Sequence, residues 1–222
     1  MRGRTALVTG ASRGIGKAIS SKFAELGANV LTPTRNELDL NVDASVDNYI
    51  SSLDEPVDIL VNNAGINPLV EGVKLTDEDL YETVKINLTS PTRLIRGIAP
   101  RMVDRQYGRI VNISSIWGSV SKPKRLAYTI SKTGLNGMTR AFAVELSQHN
   151  VLVNAVAPGF VNTELTRKNL SESEIEQITK GIPLRRLAEP EEIAEVVAFL
   201  CSEKNTFTTG QVLLVDGGFS CQ

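Results

Sequence analysis

The 222-residue sequence has little of several features that mark particular kinds of protein. It has two cysteines, Cys201 and Cys221, and a single histidine, His149. These are too few for a disulfide framework or a clustered metal site, and we expect neither. Basic and acidic residues balance, 24 against 25, for a net charge of -1. Such a balance gives no general attraction to nucleic acid or to an acidic membrane surface, so we expect neither as a partner.

Long apolar runs are also missing. The stretch Ile193-Cys201 is interrupted by Glu195 and is too short to cross a bilayer. The opening residues, MRGRTALVTG, contain no long apolar segment and no small-residue cleavage site of the secretory kind. We therefore expect a cytoplasmic protein. No linker rich in Pro, Gly or Ser divides the chain, which predicts one domain over residues 1–222.

Short apolar runs alternate with longer segments of helical periodicity. The apolar runs are Ala6-Thr9, Asn29-Thr32, Val57-Val61, Arg109-Ile113, Leu152-Ala157 and Val212-Val215. The helical patterns are Ile15-Leu26, Asp77-Val103, Gly134-Leu146 and Pro190-Leu200. Strands that are apolar throughout and separated by helices indicate a parallel sheet covered on both faces. The pattern thus predicts an α/β fold of three layers.

A glycine-rich turn follows the first predicted strand. It reads TGASRGIG over Thr9-Gly16 and leads directly into a helical pattern. Glycines allow a tight turn and a close approach of the backbone, and the N-terminus of the next helix offers free N–H groups to a pyrophosphate. The position of the turn between strand and helix favours a Rossmann-like dinucleotide site.

The stretch AYTISKT places Tyr128 four residues before Lys132. On a helix these side chains share a face, and a nearby ammonium favours the phenolate of a tyrosine. Two ordinary residues on a solvated helix would give the same pattern, so other motifs must decide between these readings.

Taken together, the motifs resemble those of the short-chain dehydrogenase/reductases over essentially the whole chain. They are, in order, TGASRGIG, NNAG at Asn62-Gly65, Asn87 in KINL, Ser115 in NISSIWG, Tyr128 and Lys132 in YTISK, Pro158-Gly159 in APGFVNT, and the tail IPLRRLAEPEEIAE with TGQVLLVDGG. The resemblance implies a doubly wound parallel sheet and hydride transfer between a nicotinamide and a carbonyl or carbinol carbon.

The resemblance also implies roles for four residues. Tyr128 would be the general acid in reduction and the base in oxidation, and Lys132 would lower the pKa of its phenol and bind the nicotinamide ribose. Ser115 would hydrogen-bond the substrate oxygen; family spacing selects it over Ser114. Asn87 would hold a water that links Lys132 to solvent.

Cofactor contacts follow in the same way. The implied residues are Gly10, Ser12, Arg13, Gly14, Ile15, Gly16, Arg35, Asp39, Leu40, Asn62, Ala64, Gly65, Tyr128, Lys132, Pro158, Gly159, Val161 and Thr163. Where an acidic residue would select NAD, the chain has Thr34 followed by Arg35. With Arg13 in the glycine turn, this predicts a preference for NADP(H), because two guanidiniums suit a 2′-phosphate.

One passage departs from the family pattern. Only about six residues separate Thr32 from the apolar Leu38-Leu40, whereas a parallel crossover needs about a dozen. We therefore expect the helix between strands 2 and 3 to be deleted, and the third strand to be shortened or lost.

Within the family, the chain looks most like the 3-oxoacyl-(acyl-carrier-protein) reductases. The basic positions that dock the carrier protein in those enzymes correspond here to Gln106 and His149. Two alternatives therefore stay open: a reductase of another ketone or keto-sugar, and a catalytically silent NADP-binding sensor. The long helices resemble those that pair across a two-fold axis, so we expect a homodimer or homotetramer, with Leu94, Ile98, Leu135 and Phe142 as core or interface residues.

A basic loop lies between Ser115 and Tyr128. Lys122, Lys124 and Arg125 cluster where the family's substrate cleft opens. If the loop serves the substrate, we expect Trp117 to pack against that substrate near the reacting carbonyl. The loop is either a solvated surface or a mouth that attracts an anionic substrate, and the sequence leaves the two equally open. Between Thr163 and Ile182 we expect a mobile lid that carries Leu165, Leu170 and Ile175.

Overall fold

Six parallel strands form the centre of the computed structural model, which describes residues 1–221 and, among them, every side chain except those of Leu165 and Asn169. The strands are β1 (Thr5–Val8), β2 (Asn29–Leu31), β3 (Ile59–Asn62), β4 (Gly108–Ile113), β5 (Val151–Pro158) and β6 (Val212–Val215). Their order in the sheet is β2-β1-β3-β4-β5-β6. The chain therefore moves outward from β1 to β2 and then returns to build the other half of the sheet beyond β1, so the predicted double winding is confirmed.

Helices cover both faces of the sheet. They are α1 (Gly14–Glu25), α2 (Asp43–Ser51), α3 (Asp77–Val84), α4 (Ser90–Asp104), α5 (Leu126–Leu146), α6 (Glu164–Asn169), α7 (Glu172–Lys180) and α8 (Pro190–Cys201). Along β1, Ala6 and Val8 face a core that contains Phe23 of α1 and Val197 of α8, while Leu7 faces the core on the opposite side. This alternation explains why the strands are apolar throughout: both of their faces are buried.

The shortened crossover after β2 is present as the sequence predicts. Between Leu31 and Asp43 the chain forms turns, and neither helix nor strand is assigned there. Leu38 and Leu40 nevertheless pack into the core, 5% and 7% exposed. The carbonyl of Leu40 accepts a 2.5 Å hydrogen bond from Ser90 Oγ, so side-chain bonds take the place of sheet bonds in this segment. The strand expected near Leu38-Leu40, the third in the family pattern, is therefore lost. The next strand along this chain is β3, which follows α2.

The long helix predicted over Asp77-Val103 contains one widened turn. Residues Lys85–Thr89 form a π-helical turn between α3 and α4. Pro91, at the beginning of α4, has no N–H to offer the carbonyl of Asn87 four residues earlier, and its ring crowds that carbonyl. We attribute the widened turn to this proline. Its consequence is that Asn87 lies at an irregular turn, a feature often found at functional sites.

Helix α5 begins eight residues before the periodic segment Gly134-Leu146, at Leu126. The AYTISKT stretch is therefore helical, and its tyrosine and lysine share a face. The proposed lid segment contains α6 and α7, capped by the hydroxyls of Thr163 and Ser171. The side chain of Leu165 lies outside the part that the structure describes.

Within residues 1–221, no helix combines the length and apolar character that crossing a membrane would require. In the same part of the chain, no group of three or more His, Cys, Asp or Glu side chains is placed to hold a metal ion. Cys201 is buried and Cys221 is exposed, and neither forms a disulfide.

Candidate active site

The tyrosine and lysine of α5 meet Ser115 at the carboxyl end of β4. The Lys132 Nζ atom lies 5.5 Å from the centre of the Tyr128 ring and donates a 2.7 Å hydrogen bond to the carbonyl of Ile113. The Ser115 side chain acts on the phenol of Tyr128 and favours its deprotonated form. The structure thus brings together three of the four residues assigned from the resemblance, around one point at the edge of the sheet.

The fourth residue, Asn87, completes the group from the π-helical turn. Its Nδ2 donates to Ser131 Oγ at 3.1 Å and to the Ile66 carbonyl at 2.8 Å, while its Oδ1 accepts from the Ile66 N–H at 2.9 Å. A methyl group built on Gly65 would lie 3.0 Å from Asn87 Oδ1 and 3.8 Å from Lys132 Nζ. Asn87 therefore ties the NNAG loop to α5 beside the lysine, and its buried amide has protein partners for both donor hydrogens.

The two adjacent serines at the end of β4 face different partners. Ser114 Oγ donates to Asn136 Oδ1 at 2.6 Å, which ties the strand to the middle of α5. Ser115 Oγ accepts from the Trp117 N–H at 3.2 Å, and the Ser115 side chain acts to lower the pKa of Tyr128. Ser114 therefore makes a packing contact, and Ser115 remains the predicted catalytic serine.

Burial has the largest effect on the pKa of both Tyr128 and Lys132. Burial raises the pKa of Tyr128, while the Ser115 side chain and the charge of Arg125 act in the opposite direction. Burial lowers the pKa of Lys132 from 10.5 to about 8. The net direction for Tyr128 is opposite to the lowered pKa that the sequence led us to expect, because loss of hydration penalises the phenolate more than its neighbours favour it. At neutral pH the phenol keeps its proton and can donate it.

The glycine turn is held by a residue that sequence reasoning did not single out. Asn63 Nδ2 donates to the carbonyls of Thr9 and Gly10 at 2.9 and 3.0 Å. The hydroxyl of Thr9 accepts from the main-chain N–H groups of Asn63 and Ala64. The second asparagine of NNAG, whose only signal was its motif, thus locks the glycine turn to the end of β3.

The turn fits a dinucleotide pyrophosphate. Gly10 and Gly14 have φ of 65° and 53°, a conformation that favours glycine. Helix α1 has no side-chain cap and no acidic residue in its first turn, so its free N–H groups and positive dipole end remain open to an anion. These features, rather than a single glycine, match the site to the group.

We expect Gly16→Ala to destroy this turn. The added methyl would lie 2.3 Å from the Gly10 carbonyl oxygen and 2.4 Å from Asn63 Nδ2, closer than packed atoms can approach without displacement of the backbone. Dinucleotide affinity, measured by calorimetry, should fall by at least about tenfold, with a loss of stability of about 1–3 kcal/mol. Ser21→Ala, at an exposed position of the same helix, is the control and should leave both unchanged. Unaltered affinity in Gly16→Ala would contradict this role of the turn.

The remaining predicted cofactor residues line the same edge of the sheet. Asn62 is buried, with its Nδ2 bonded to Asn112 Oδ1 at 2.8 Å, so a cofactor contact there would come from its main chain. Pro158 ends β5, and Thr163 packs so close to the glycine turn that a methyl on Gly14 would touch its Cγ2 at 3.3 Å. The segment after β5 therefore lies against the turn after β1.

The two predicted phosphate-binding arginines are exposed, and an acid lies nearby. Arg35 Nε is 3.3 Å from Asp39 Oδ2, so the predicted phosphate ligand forms an ion pair with another of the predicted cofactor contacts. The Thr34 N–H and hydroxyl both donate to Glu37 Oε2 at 2.8 Å. Sequence reasoning missed Glu37, because the acid reaches the expected position from three residues further along the chain.

Three aromatic rings pack together close to Ser115. Trp117, Phe160 and Phe219 pack edge to face, with ring centres 5.3 to 6.3 Å apart. Trp117 follows Ser115 by two residues, and its neighbours come from the segment after β5 and from the C-terminal tail. No local sequence pattern predicts that Phe219 lies at this site, because its contacts with Trp117 and Phe160 form only in the folded chain.

A dinucleotide-type turn, a half-buried tyrosine beside a buried lysine, and a serine at the strand end define an oxidoreductase that uses a nicotinamide cofactor. Residues 37–220 match the family described as enoyl-(acyl carrier protein) reductase, and residues 4–46 match the short chain dehydrogenase family. The chain belongs to the short-chain dehydrogenase/reductase family.

Individual relatives agree over nearly the whole chain. It is 39% identical over 235 residues to the 3-oxoacyl-(acyl-carrier-protein) reductase FabG of Rickettsia prowazekii, which covers 98% of this chain and 97% of the relative. A gluconate 5-dehydrogenase from Burkholderia cenocepacia, solved with NADP and tartrate, superimposes with a TM-score of 0.95 at 28% identity, over 100% of this chain and 97% of that one. A 4-hydroxyisoleucine dehydrogenase mutant, solved with NADH and succinate, has a TM-score of 0.94 at 29% identity, with 99% of each chain covered.

Proposed function

We propose that this protein reduces a ketone to a secondary alcohol at the expense of NADPH. The observation that carries the proposal is the meeting of Tyr128, Lys132, Ser115 and Asn87 at one edge of the sheet, beside a glycine turn suited to a pyrophosphate. A protein that only sensed the cofactor would have no use for the serine or for a buried lysine behind the tyrosine. The silent sensor is therefore the weaker alternative.

In the proposed reaction, a bound nicotinamide supplies the hydride for reduction and accepts it for oxidation. The substrate carbonyl oxygen lies against the hydroxyls of Ser115 and Tyr128, which stabilise the negative charge that develops there. The phenol of Tyr128 donates its proton to this oxygen. Lys132 stabilises the resulting phenolate by its charge, and a water beside Asn87 is the proposed route by which the proton is replaced.

Loss of NADPH absorbance with a panel of carbonyl compounds tests the reaction. Acetoacetyl thioesters, keto-sugars and simple ketones should include at least one substrate whose turnover is saturable. If a folded, NADPH-binding protein reduced none of these carbonyl compounds and oxidised none of the corresponding alcohols, the oxidoreductase proposal would fail. The cofactor sensor would then be the better proposal.

A 3-oxoacyl thioester is the first candidate substrate, on the strength of the reductase relatives. The docking of an acidic carrier protein has less support. Gln106 Nε2 lies 3.2 Å from His149 Nδ1, so the two positions that would carry docking charges contact each other. The neighbouring Arg105 pairs with Asp58 at 3.4 Å. We propose the thioester reaction without assigning a carrier-protein surface.

A carbonyl compound with its own acidic group is the second candidate. The observation that favours it is the presence of Lys122 and Arg125 over the Trp117 ring at the mouth of the site. Two of the similar structures were solved with the dicarboxylates tartrate and succinate. A ketone or keto-sugar with an anionic group would suit such a mouth.

The cofactor preference that we propose is NADP(H) over NAD(H). Arg13 and Arg35 follow neighbouring parallel strands at the same edge of the sheet, and both side chains are exposed. A 2′-phosphate would draw Arg35 away from Asp39, since a dianion is the stronger partner. Glu37 acts in the opposite direction, because its carboxylate would repel the phosphate.

Dissociation constants for NADPH and NADH separate these contributions. Arg13→Ala and Arg35→Ala should each weaken NADPH by about tenfold or more, while NADH changes little, because each removes a charge-assisted bond to the phosphate. Glu37→Gln should strengthen NADPH. Arg96→Ala, at an exposed arginine of α4, is the control. An equal loss for both cofactors in Arg35→Ala would refute the role of that residue.

We also propose that the protein is cytoplasmic and assembles as a homodimer or homotetramer. Leu94, Ile98 and Leu135 are buried within one chain and are therefore core residues. Ile130 and Val144 of α5 are 43% and 81% exposed. They lie fourteen residues apart, which places them on one face of the helix. This outer face of α5 supports the proposed pairing.

A further inference from the structure

The basic loop before α5 contains two cations, Lys122 and Arg125, that form no salt bridge within the described part of the chain, although the charge of Glu174 acts on Lys122 from a distance. The Lys122 Nζ atom lies 5.4 Å from the centre of the Trp117 ring and 5.9 Å from that of Phe160, and the Arg125 guanidinium lies 6.0 Å from Trp117. Across the side chains that the structure describes, neither cation forms a salt bridge with a carboxylate, and Arg125 Nε is buried without a hydrogen-bond partner. A buried guanidinium nitrogen with no acceptor is costly to keep.

The loop conformation holds the two cations together at that cost. Lys124, between them, has a φ of 67°, in the left-handed region that non-glycine residues avoid. Burial lowers the pKa of Lys122, and the charge of Arg125 lowers it further. A strained backbone and two like charges lie together beside Tyr128, which indicates a site suited to binding an anion rather than a surface made for solubility.

The position of Arg125 limits where that anion can be. Arg125 occupies the N-cap position of α5 without a side-chain capping bond, and Tyr128 follows three residues later. Residues three apart on a helix are neighbours, and the charge of Arg125 already acts on the phenol. An anion that is bound here therefore lies only a few bonds from a carbonyl held by Tyr128.

We propose that Lys122, Arg125 and Trp117 form an anion subsite that binds a carboxylate of the substrate close to the carbonyl being reduced. The inference rests on the proposed reaction and narrows its substrate to a short keto acid or, in the reverse direction, a hydroxy acid. In a phosphopantetheine thioester the phosphate is separated from the reacting carbonyl by the whole pantetheine arm, so that phosphate cannot occupy this subsite during reduction. Trp117 and Phe160 contact the apolar carbons between the two groups.

Matched substrates that differ only in charge test the subsite. Pyruvate, acetoacetate and levulinate are each compared with their ethyl esters for NADPH-dependent reduction. At least one acid should exceed its ester in kcat/KM by about 10- to 100-fold, the range of a charge-assisted hydrogen bond. Arg125→Gln and Lys122→Gln should each bring the acid-to-ester ratio of kcat/KM close to one. The ratio within each variant is compared, because the charge of Arg125 also acts on the phenol of Tyr128 and its loss can change the turnover of acid and ester alike. Lys124→Gln, an exposed cation of the same loop, is the control and should keep the preference.

A binding measurement separates failure of the subsite from failure of the reaction. Trp117 is the only tryptophan of the chain, so its fluorescence reports on the site directly. Titration with succinate should give a saturable change that weakens as salt rises, and succinamide, the neutral analogue, should give none. In Arg125→Gln the affinity for succinate should fall by about tenfold or more.

The outcomes are distinct. If succinate titrates as expected but the protein reduces no carbonyl compound, the reaction fails and the subsite stands. If acids and esters react equally, or succinate and succinamide act alike, the subsite is overturned and the reaction stands. Inorganic phosphate that binds more tightly than succinate would overturn the assignment of a carboxylate.

Discussion

Tyr128→Phe should lower kcat/KM for carbonyl reduction by about 10²- to 10⁴-fold, the usual contribution of a positioned general acid. The substitution removes one oxygen and keeps the ring that packs beside Lys132. Because burial raises the pKa of the phenol, the wild-type residue holds its proton at neutral pH, and Phe has none to give. Steady-state rates with NADPH and the best carbonyl substrate measure the loss.

Tyr107→Phe is the matched control for this substitution. Tyr107 is also partly buried, which raises the pKa of its phenol, and it packs against the guanidiniums of Arg4 and Arg109. Loss of that hydroxyl should leave turnover unchanged. Affinity for NADPH should be unchanged in Tyr107→Phe, and measuring it in Tyr128→Phe separates a lost cofactor contact from a lost proton donor. Full turnover by a folded Tyr128→Phe protein would remove the tyrosine from the mechanism.

Lys132→Met should abolish turnover and at the same time change how stability depends on pH. Burial lowers the pKa of Lys132 from 10.5 to about 8, a difference that corresponds to about 3 kcal/mol. Between these two pH values the unfolded chain binds a proton that the folded protein does not, so the lysine adds stability as pH rises through this window. Below pH 8 both states are protonated, and the folded protein bears the full cost of the buried charge.

The variant should therefore be the more stable protein at pH 7 and lose that advantage by about 3 kcal/mol between pH 8 and 10.5. The variant also loses the hydrogen bond to the Ile113 carbonyl, which is 2.7 Å long in the structure. This loss reduces the stability of the variant by about 1–3 kcal/mol at every pH. Urea unfolding of both proteins without cofactor measures the difference.

Lys204→Met, at an exposed lysine, provides the comparison for Lys132→Met and should show no such pH dependence. A constant difference in free energy of unfolding between the wild type and Lys132→Met from pH 7 to 10.5 would contradict the lowered pKa. A gain of stability with a loss of activity is the result expected where a charge is kept buried for catalysis.

The sequence alone determined the class of fold. Strands such as ILVN in β3 are apolar on both faces, which requires helices on both sides of the sheet. Three further features could be predicted because each depends on local spacing: the glycine turn, the Tyr–Lys pair and the shortened crossover. A helix period places Tyr128 and Lys132 on one face, and six residues are too few for a parallel crossover. These rules need no knowledge of distant contacts.

Tertiary structure decided what depends on distant residues. The direction of the pKa of Tyr128 follows from burial, which no spacing reveals, and it reversed the expectation based on a nearby lysine. Glu37 reaches Thr34 through a turn, and Phe219 joins Trp117 from the far end of the chain. From the sequence, the basic loop could be either a solvated surface or part of the substrate site. In the structure Lys122 and Arg125 lie beside the Trp117 ring, which favours the site. Hydration and charge depend on everything packed around a group, so they are set only once the chain is folded.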